Sequence, residues 1–234
     1  MEDLSGRLLK NLTGIQNRIR AACLRAHRAP ESVALIGVTK YARLDWVTEL
    51  IKLGCRELAE SRTQQLAERA ELLSPDLHWH FIGPLQRNKV RRTIQYSHLI
   101  HSLDSEKLLK TIDRIAAESD LKPRVLIEVN LSGEANKKGF QKAELLQLWP
   151  SLCQVTHVQI NGLMTMAPHV DDPEAARPVF RELSELRDTL QAISPEQTRL
   201  QELSMGMSGD FEVAIEEGAT LVRVGSALFA GLEA

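Results

Sequence analysis

The sequence predicts a single (β/α)8 barrel, and three observations predict it. Short apolar runs alternate with helical patterns along the chain until eight strands have been counted, the pattern of parallel strands covered by helices. The length, 234 residues, suits one such barrel. No linker, low-complexity tract or composition break interrupts the alternation, so residues 1–234 read as one domain. Strand order cannot be read from one sequence, and a doubly wound open sheet is the alternative.

The elements follow in order. Over residues 4–26, apolar side chains recur at Leu8, Leu9, Leu12, Ile15, Ile19 and Ala22/Cys23, spaced by three and four, which predicts a long amphipathic helix. Pro30 stops it, so residues 1–30 form an extra N-terminal helix packed on the barrel. Residues 33–38 are a continuous apolar run of the type buried on both faces of a parallel sheet. A helix over 45–53 leads to a second strand at 56–59 and a helix over 61–73. The third strand, 77–82, ends at Gly83-Pro84, and a helix covers 86–96. Strand four is 98–101, with a helix over 105–119. Pro123 introduces strand five, 124–129, and the polar loop 132–139 runs into a helix that ends at Pro150. Strand six is 157–161, and a long helix covers 173–193. Strands seven, 200–203, and eight, 220–224, close the alternation.

The composition narrows the partners. Hydrophobic residues make up 43% of the chain, ample for a core, and a net charge of −2 weighs against nucleic acid or a membrane surface as a partner. Cys23, Cys55 and Cys153 are odd in number and lack a C-x-x-C, so they read as free thiols in a reducing compartment. The start Met-Glu-Asp-Leu-Ser-Gly is acidic, and no apolar run is long enough for a signal sequence or a membrane span. A cytoplasmic protein, and a monomer, is expected.

The candidate chemistry lies near the C-terminus. Leu203-Ser-Met-Gly-Met-Ser-Gly-Asp210 and Leu221-Val-Arg-Val-Gly-Ser-Ala227 are each a short apolar run breaking into Gly and Ser just before a helical pattern. Glycine permits close backbone approach, and such turns present N–H groups to an anion. Ser204 and Ser208 flank Gly206, Gly225-Ser226 closes the second turn, and Arg223 shares a strand face with Gly225. Either turn alone is better read as an ordinary connection; the pair is what suggests a phosphate site. In a closed barrel phosphates tend to bind after strands seven and eight, and Lys40, at the end of strand one, comes next to strand eight. An amine, a phosphate cradle and an arginine on one rim suit pyridoxal 5′-phosphate held as an imine on the lysine.

Further motifs carry a family resemblance. Val38-Thr-Lys40, Trp79-His-Phe-Ile-Gly-Pro-Leu-Gln-Arg-Asn-Lys89, Val129-Asn-Leu-Ser132 with Lys138-Gly139, Gly162-Leu-Met164, Leu203-Ser-Met-Gly-Met-Ser208 and Val222-Arg-Val-Gly225 resemble the pyridoxal phosphate homeostasis proteins. That family shares the fold of the alanine racemase N-terminal domain. The resemblance implies that Lys40 forms the imine, that Ser204, Gly225 and Ser226 hold the phosphate, and that Arg223 faces the pyridine nitrogen. It also implies a barrel without metal, acting as a cofactor carrier or regulator, with apo pyridoxal-phosphate enzymes as partners. Gly206 and His80 join the expected cofactor-binding residues, His80 as a pocket-lining side chain. The family's Gly-Glu-Asn after strand two is Ala59-Glu60-Ser61 here, so the shorter Ser61 stands where an asparagine approaches the cofactor.

Other candidates weigh less. His78 and His80 share a strand face, but no third ligand sits at metal spacing. The basic run 87–92 lacks interleaved aromatics and reads as a solvated face. The loop 132–139 is either a plain connection or a cover over the ligand. The enzyme alternative is an amino-acid racemase or lyase that uses the same cofactor. Racemases of this fold take part of their site from a second domain, and a chain ending at Ala234 is expected to lack it.

Overall fold

Runs that are apolar at almost every position need a partner on both faces, and a closed barrel supplies it. In the computed structural model, which describes residues 3–131, 138–168 and 171–232, eight strands form. They are β1 (Ala34–Val38), β2 (Glu57–Glu60), β3 (His78–Phe81), β4 (Leu99–Leu103), β5 (Arg124–Glu128), β6 (Gln159–Met164), β7 (Glu202–Ser204) and β8 (Leu221–Val224). All neighbours pair in parallel, and β8 returns to β1 through Ala34↔Leu221 to Gly37↔Val224, so the sheet is a closed barrel in chain order. This excludes the open sheet. Side chains alternate inward and outward along each strand. Ile36, Ala59, Leu99, Leu126, Met164 and Leu221 fill the barrel axis. Trp79, Phe81, Ile100, Ile127 and Val222 pack outward in the larger core under the helices.

The helices are α1 (Leu4–Arg25), α2 (Leu44–Lys52), α3 (Thr63–Leu72), α4 (Val90–Tyr96), α5 (Glu106–Ser119), α6 (Lys142–Leu152), α7 (Arg177–Ala192) and α8 (Phe211–Glu216). Helices α2 to α8 follow β1 to β7 in turn. After β8 the expected helical pattern gives way to turns. Leu228 N and Phe229 N both donate to Gly225 O, and Gly231 takes φ +77°. Helix α1 fills the place left open, lying against both α8 and α2. It buries Leu8, Leu12, Ile15, Ile19, Ala22 and Cys23, and Arg18 and Arg25 pair with Glu212 and Glu216 on α8 at 2.7 and 2.6 Å. The N-terminal helix therefore completes the outer ring.

Several boundaries differ from the sequence reading. The helix expected to stop at Pro150 runs through it to Leu152. Proline costs a helix one N–H bond and a clash with the preceding turn, and so close to the end little helix remains to lose. Strand β6 extends to Met164, where it pairs with Ser204, and β7 reaches Ser204 itself. The helices α4 and α7 each open with a short 3-10 turn, Arg87–Lys89 and Pro173–Ala176. Among the described residues no helix is long and apolar enough to cross a membrane.

Candidate functional site

The seam between β1 and β8 brings the candidates together. Gly225 lies so close to β1 that a Cβ there would stand 3.3 Å from both Cβ and O of Val38. Lys40 follows two residues after Val38, at the C-terminal mouth of the barrel. Its Nζ lies 5.1 Å from the centroid of the Tyr41 ring, and it has no hydrogen-bond or ion-pair partner among the described residues. Tyr41, Met166 and Met207 are exposed on the segments that follow β1, β6 and β7, giving that mouth an apolar rim.

The turn carrying Lys40 is pinned from below. Arg69 on α3 donates to Thr39 O at 2.9 Å and to Ala42 O at 2.6 Å, one carbonyl on each side of the lysine. The same guanidinium pairs with the buried Glu60, whose carboxylate also accepts from Thr39 Oγ1 at 2.5 Å. Burial raises the Glu60 carboxyl, and the bonds from Thr39 and Arg69 pull against it. Ser61, next in the chain, is half-buried. Gly83 packs on it so tightly that a Cβ would lie 2.0 Å from Ser61 O.

Across the seam, Ser208 Oγ accepts from Gly225 N and Ala227 N, both at 3.3 Å. Backbone N–H groups converging on one oxygen form a nest of the kind that holds anions. Gly206 makes this possible. At φ +89°, with Phe211 Cα only 2.8 Å from where its Cβ would stand, no other residue fits the turn that swings Ser208 over to β8. From outside, Asn11 Nδ2 donates to Leu228 O and Ala230 O at 2.9 and 3.0 Å and holds the end of the segment after β8. The exposed Ser226 sits in the middle of this turn. A lysine with no hydrogen-bond or ion-pair partner among the described residues, and N–H groups converging on a hydroxyl oxygen, are the donor set that an aldehyde carrying a phosphate requires, so the residues present fit that cofactor.

Arg223, His80 and Ser204 lie deeper, inside the barrel. Arg223 donates to Ser204 Oγ at 2.5 Å and to Thr165 O at 3.1 Å. Complete burial lowers its guanidinium to about 10, while the charges of Asp210 and Glu128 act in the opposite sense. His80 bonds Glu57 on one side and His101 on the other, both rings buried, and His101 reaches Ser204. The structure thus gathers Lys40, Gly225 and Ser226 on one rim, with Gly206 shaping the turn beside them. It sets Ser204 and His80 behind Arg223.

Sequence reasoning missed Arg69, Glu57 and His101, and it quoted Ser208 without giving it a role. His101 had a visible signal, a histidine two residues from Leu99 on a strand otherwise rich in apolar residues. Among the described residues, no three His, Cys, Asp or Glu side chains come together as a metal site. Of the loop 132–139, residues 132–137 lie outside the described residues.

The comparisons with known proteins concern the family and the fold. The profile of the alanine racemase N-terminal domain family matches residues 11–233. A pyridoxal phosphate homeostasis protein of Aquifex aeolicus is 42% identical over 221 residues, covering 94% of this chain and 96% of that one. PipY of Synechococcus elongatus, solved both without and with PLP bound, superposes with a TM-score of 0.81 at 39% identity, over 91% of this chain and 99% of the other. A protein of unknown role from Bifidobacterium adolescentis superposes with a TM-score of 0.91 at 33% identity, over 98% and 97% of the two chains. With the motifs, the barrel and these relatives in agreement along nearly its whole length, this chain belongs to the pyridoxal phosphate homeostasis proteins of the alanine racemase N-terminal domain family.

Proposed function

We propose that this chain binds pyridoxal 5′-phosphate in the C-terminal mouth of its barrel, attaches it covalently through Lys40, and holds and hands on that cofactor within the cell. The observation that carries the reading is the β1–β8 seam, where an amine without a partner among the described residues stands across from converging N–H groups. The PLP-bound relative supports it. When bound, the cofactor supplies an aldehyde that an amine can capture and a ring that can accept electrons. Lys40 is the amine. Ser208 and the N–H groups of the Gly225–Ala227 turn take the phosphate, with Ser226 exposed at its centre. The Ser204 hydroxyl is engaged by His101 and Arg223, so it acts on the cofactor only through the position of Arg223.

Arg223 bears on carriage versus catalysis. A guanidinium has only donors and stays charged. It can satisfy a ring nitrogen only by donating to it, which provides no group to keep a proton there. Holding is therefore favoured over turnover. In this reading the partners are the free cofactor and the apo-enzymes that need it, and the chain acts as a monomer. The three free cysteines suit a reducing cytoplasm. The test is to load the protein, reduce it with borohydride, digest it and locate the pyridoxyl group by mass spectrometry. It should sit on Lys40, and the loaded parent, but not Lys40→Ala, should restore activity to an apo pyridoxal-phosphate enzyme. Labelling at a different lysine refutes the assignment.

A further inference from the structure

An unbroken line of hydrogen bonds runs through the barrel from its N-terminal mouth to Arg223. Glu57 and His78 open β2 and β3, and His78 Nδ1 lies 2.7 Å from Glu57 Oε1. The second carboxylate oxygen lies 2.7 Å from His80 Nε2. His80 Nδ1 is 2.8 Å from His101 Nε2, and His101 Nδ1 is 2.8 Å from Ser204 Oγ, which accepts from Arg223. His80, His101, Ser204 and Arg223 are all buried, so their polar atoms must satisfy one another.

Donor counting allows two arrangements. Arg223 only donates, so one lone pair of Ser204 is always committed to it. With His80 neutral, Ser204 donates its O–H to His101 Nδ1, His101 Nε2–H donates to His80 Nδ1, and His80 Nε2–H donates to Glu57. Let His80 take one proton from solvent. It then donates from both nitrogens, His101 Nε2 becomes an acceptor, and His101 must carry its single proton on Nδ1. Ser204 now accepts from His101 as well as from Arg223, and its own O–H no longer points at His101. One proton is gained, and every other proton is conserved.

We infer that His80 and His101 are positioning residues that form a protonation switch. A second proton on His80 reverses the His101 tautomer and the Ser204 hydroxyl, and so alters the bonding of the serine that anchors Arg223. Of the two buried rings, His80 is the one that touches the Glu57 carboxylate, at 2.7 Å. His101 is pushed well below the ordinary histidine range by burial, then by His80 and Arg223. His98, edge-on to His80 at 5.9 Å, is lowered to about 4 by burial and by His78, His80 and Arg124. Burial alone would raise Glu57, but bonds and charge from His80 and His78 outweigh it and hold the carboxyl at about 2, leaving an anion against His80. Further out, Arg124 on β5 lies 2.8 Å from His98 Nε2 and 3.9 Å from Glu202 on β7. At the far end Glu128 and Asp210 face Arg223 by charge, and Asp104 and Lys138 act on Glu128.

The switch itself does not depend on the cofactor; only its consequence rests on the reading of Arg223 given above. Ligand-free protein labelled with 15N-histidine is followed by long-range 1H–15N spectra across the neutral pH range, with assignments from single His→Gln variants. The expected result is that His101 moves from Nε2–H to Nδ1–H with the same midpoint at which His80 becomes doubly protonated. Glu57→Gln, which removes the carboxylate charge against His80, should uncouple or displace that common transition. A fixed His101 tautomer while His80 titrates, or a His80 that takes no second proton, overturns the switch. The parent protein alone decides this point, and amide spectra identify any variant that fails to fold. In cofactor-loaded protein, Ser204→Ala and His101→Gln should shift the pH midpoint of the visible absorption band, whereas His78→Gln should not. A tautomer change without that shift overturns the link through Arg223 and leaves the switch standing. A protein that binds no cofactor overturns the proposed function instead.

Discussion

Replacing Arg69 by methionine should loosen the turn that carries Lys40 and cost the fold about 3–5 kcal/mol, the usual penalty for leaving a buried charge without its partner. The structure supplies the terms. Glu60 is fully buried and the Arg69 side chain is 8% exposed, so water cannot replace the lost guanidinium. The bonds to Thr39 O and Ala42 O go with it. The sign of the pH dependence follows from Glu60, whose carboxyl is already raised by burial and would rise further without Arg69. Between the unfolded value of about 4.3 and the raised native value, the folded state binds a proton that the unfolded state does not. Above the parent's native value and below the variant's higher one, only the variant's folded state still holds that proton, so its stability relative to the parent falls there as pH rises. Denaturant unfolding at about pH 5 and about pH 7.5 reads both effects. Adding Glu60→Gln should return part of the loss, with a coupling of about 0.5–3 kcal/mol, because the orphaned charge is gone. Amide exchange at Thr39 and Ala42 should quicken in the single variant. A midpoint equal to the parent's, or a penalty that does not grow with pH, would refute the clamp.

Two further outcomes concern the turn after β8. Ser226→Ala keeps every backbone donor, whereas Ser226→Pro removes one N–H; at about 1.5–3 kcal/mol for a charge-assisted bond, the proline variant should retain far less cofactor on gel filtration. Equal retention in the two would mean that this N–H is idle. Asn11→Ala strips the donors from Leu228 O and Ala230 O and should cost about 1–3 kcal/mol in chemical denaturation. It should also weaken phosphate binding at the turn, and unchanged values for both would count against α1 as its support.

The barrel was legible because it imposes a rule on every strand. A run such as 33–38 is apolar throughout since Ile36 faces the axis while Gly37 and Val33 face the helices, and that two-sided demand leaves a mark in sequence. The place of α1 was not legible. It depends on the segment after β8 stopping at a few turns, and Gly225-Ser-Ala-Leu-Phe-Ala-Gly231 is locally compatible with a short helix or with turns. The difference between the two serines around Gly206 was hidden for a similar reason. Ser204 keeps the inward facing of β7, but the alternation ends at Gly206, whose positive φ carries Ser208 to the other strand. Arg69 gave no signal, since a helical arginine is ordinarily a solvated one and only the neighbouring Thr39 and Ala42 carbonyls make it otherwise.

Both reactive groups rest on buried polar side chains that a more stable barrel would do without. Lys40 stands above Glu60 and Arg69, and Arg223 stands above Ser204, His101, His80 and Glu57. Well-packed apolar residues in these places would be neutral or stabilising, because burying charge costs more than pairing it usually returns. What apolar residues cannot do is fix a carbonyl on each side of a lysine, or hold a guanidinium by a hydroxyl whose own direction is set by its neighbours. A partly satisfied network would be worse than none, and these are closed at every named atom. The stability forgone there is thus spent on position: the amine at the mouth and the guanidinium inside the barrel each rest on side chains whose own bonds fix where they stand.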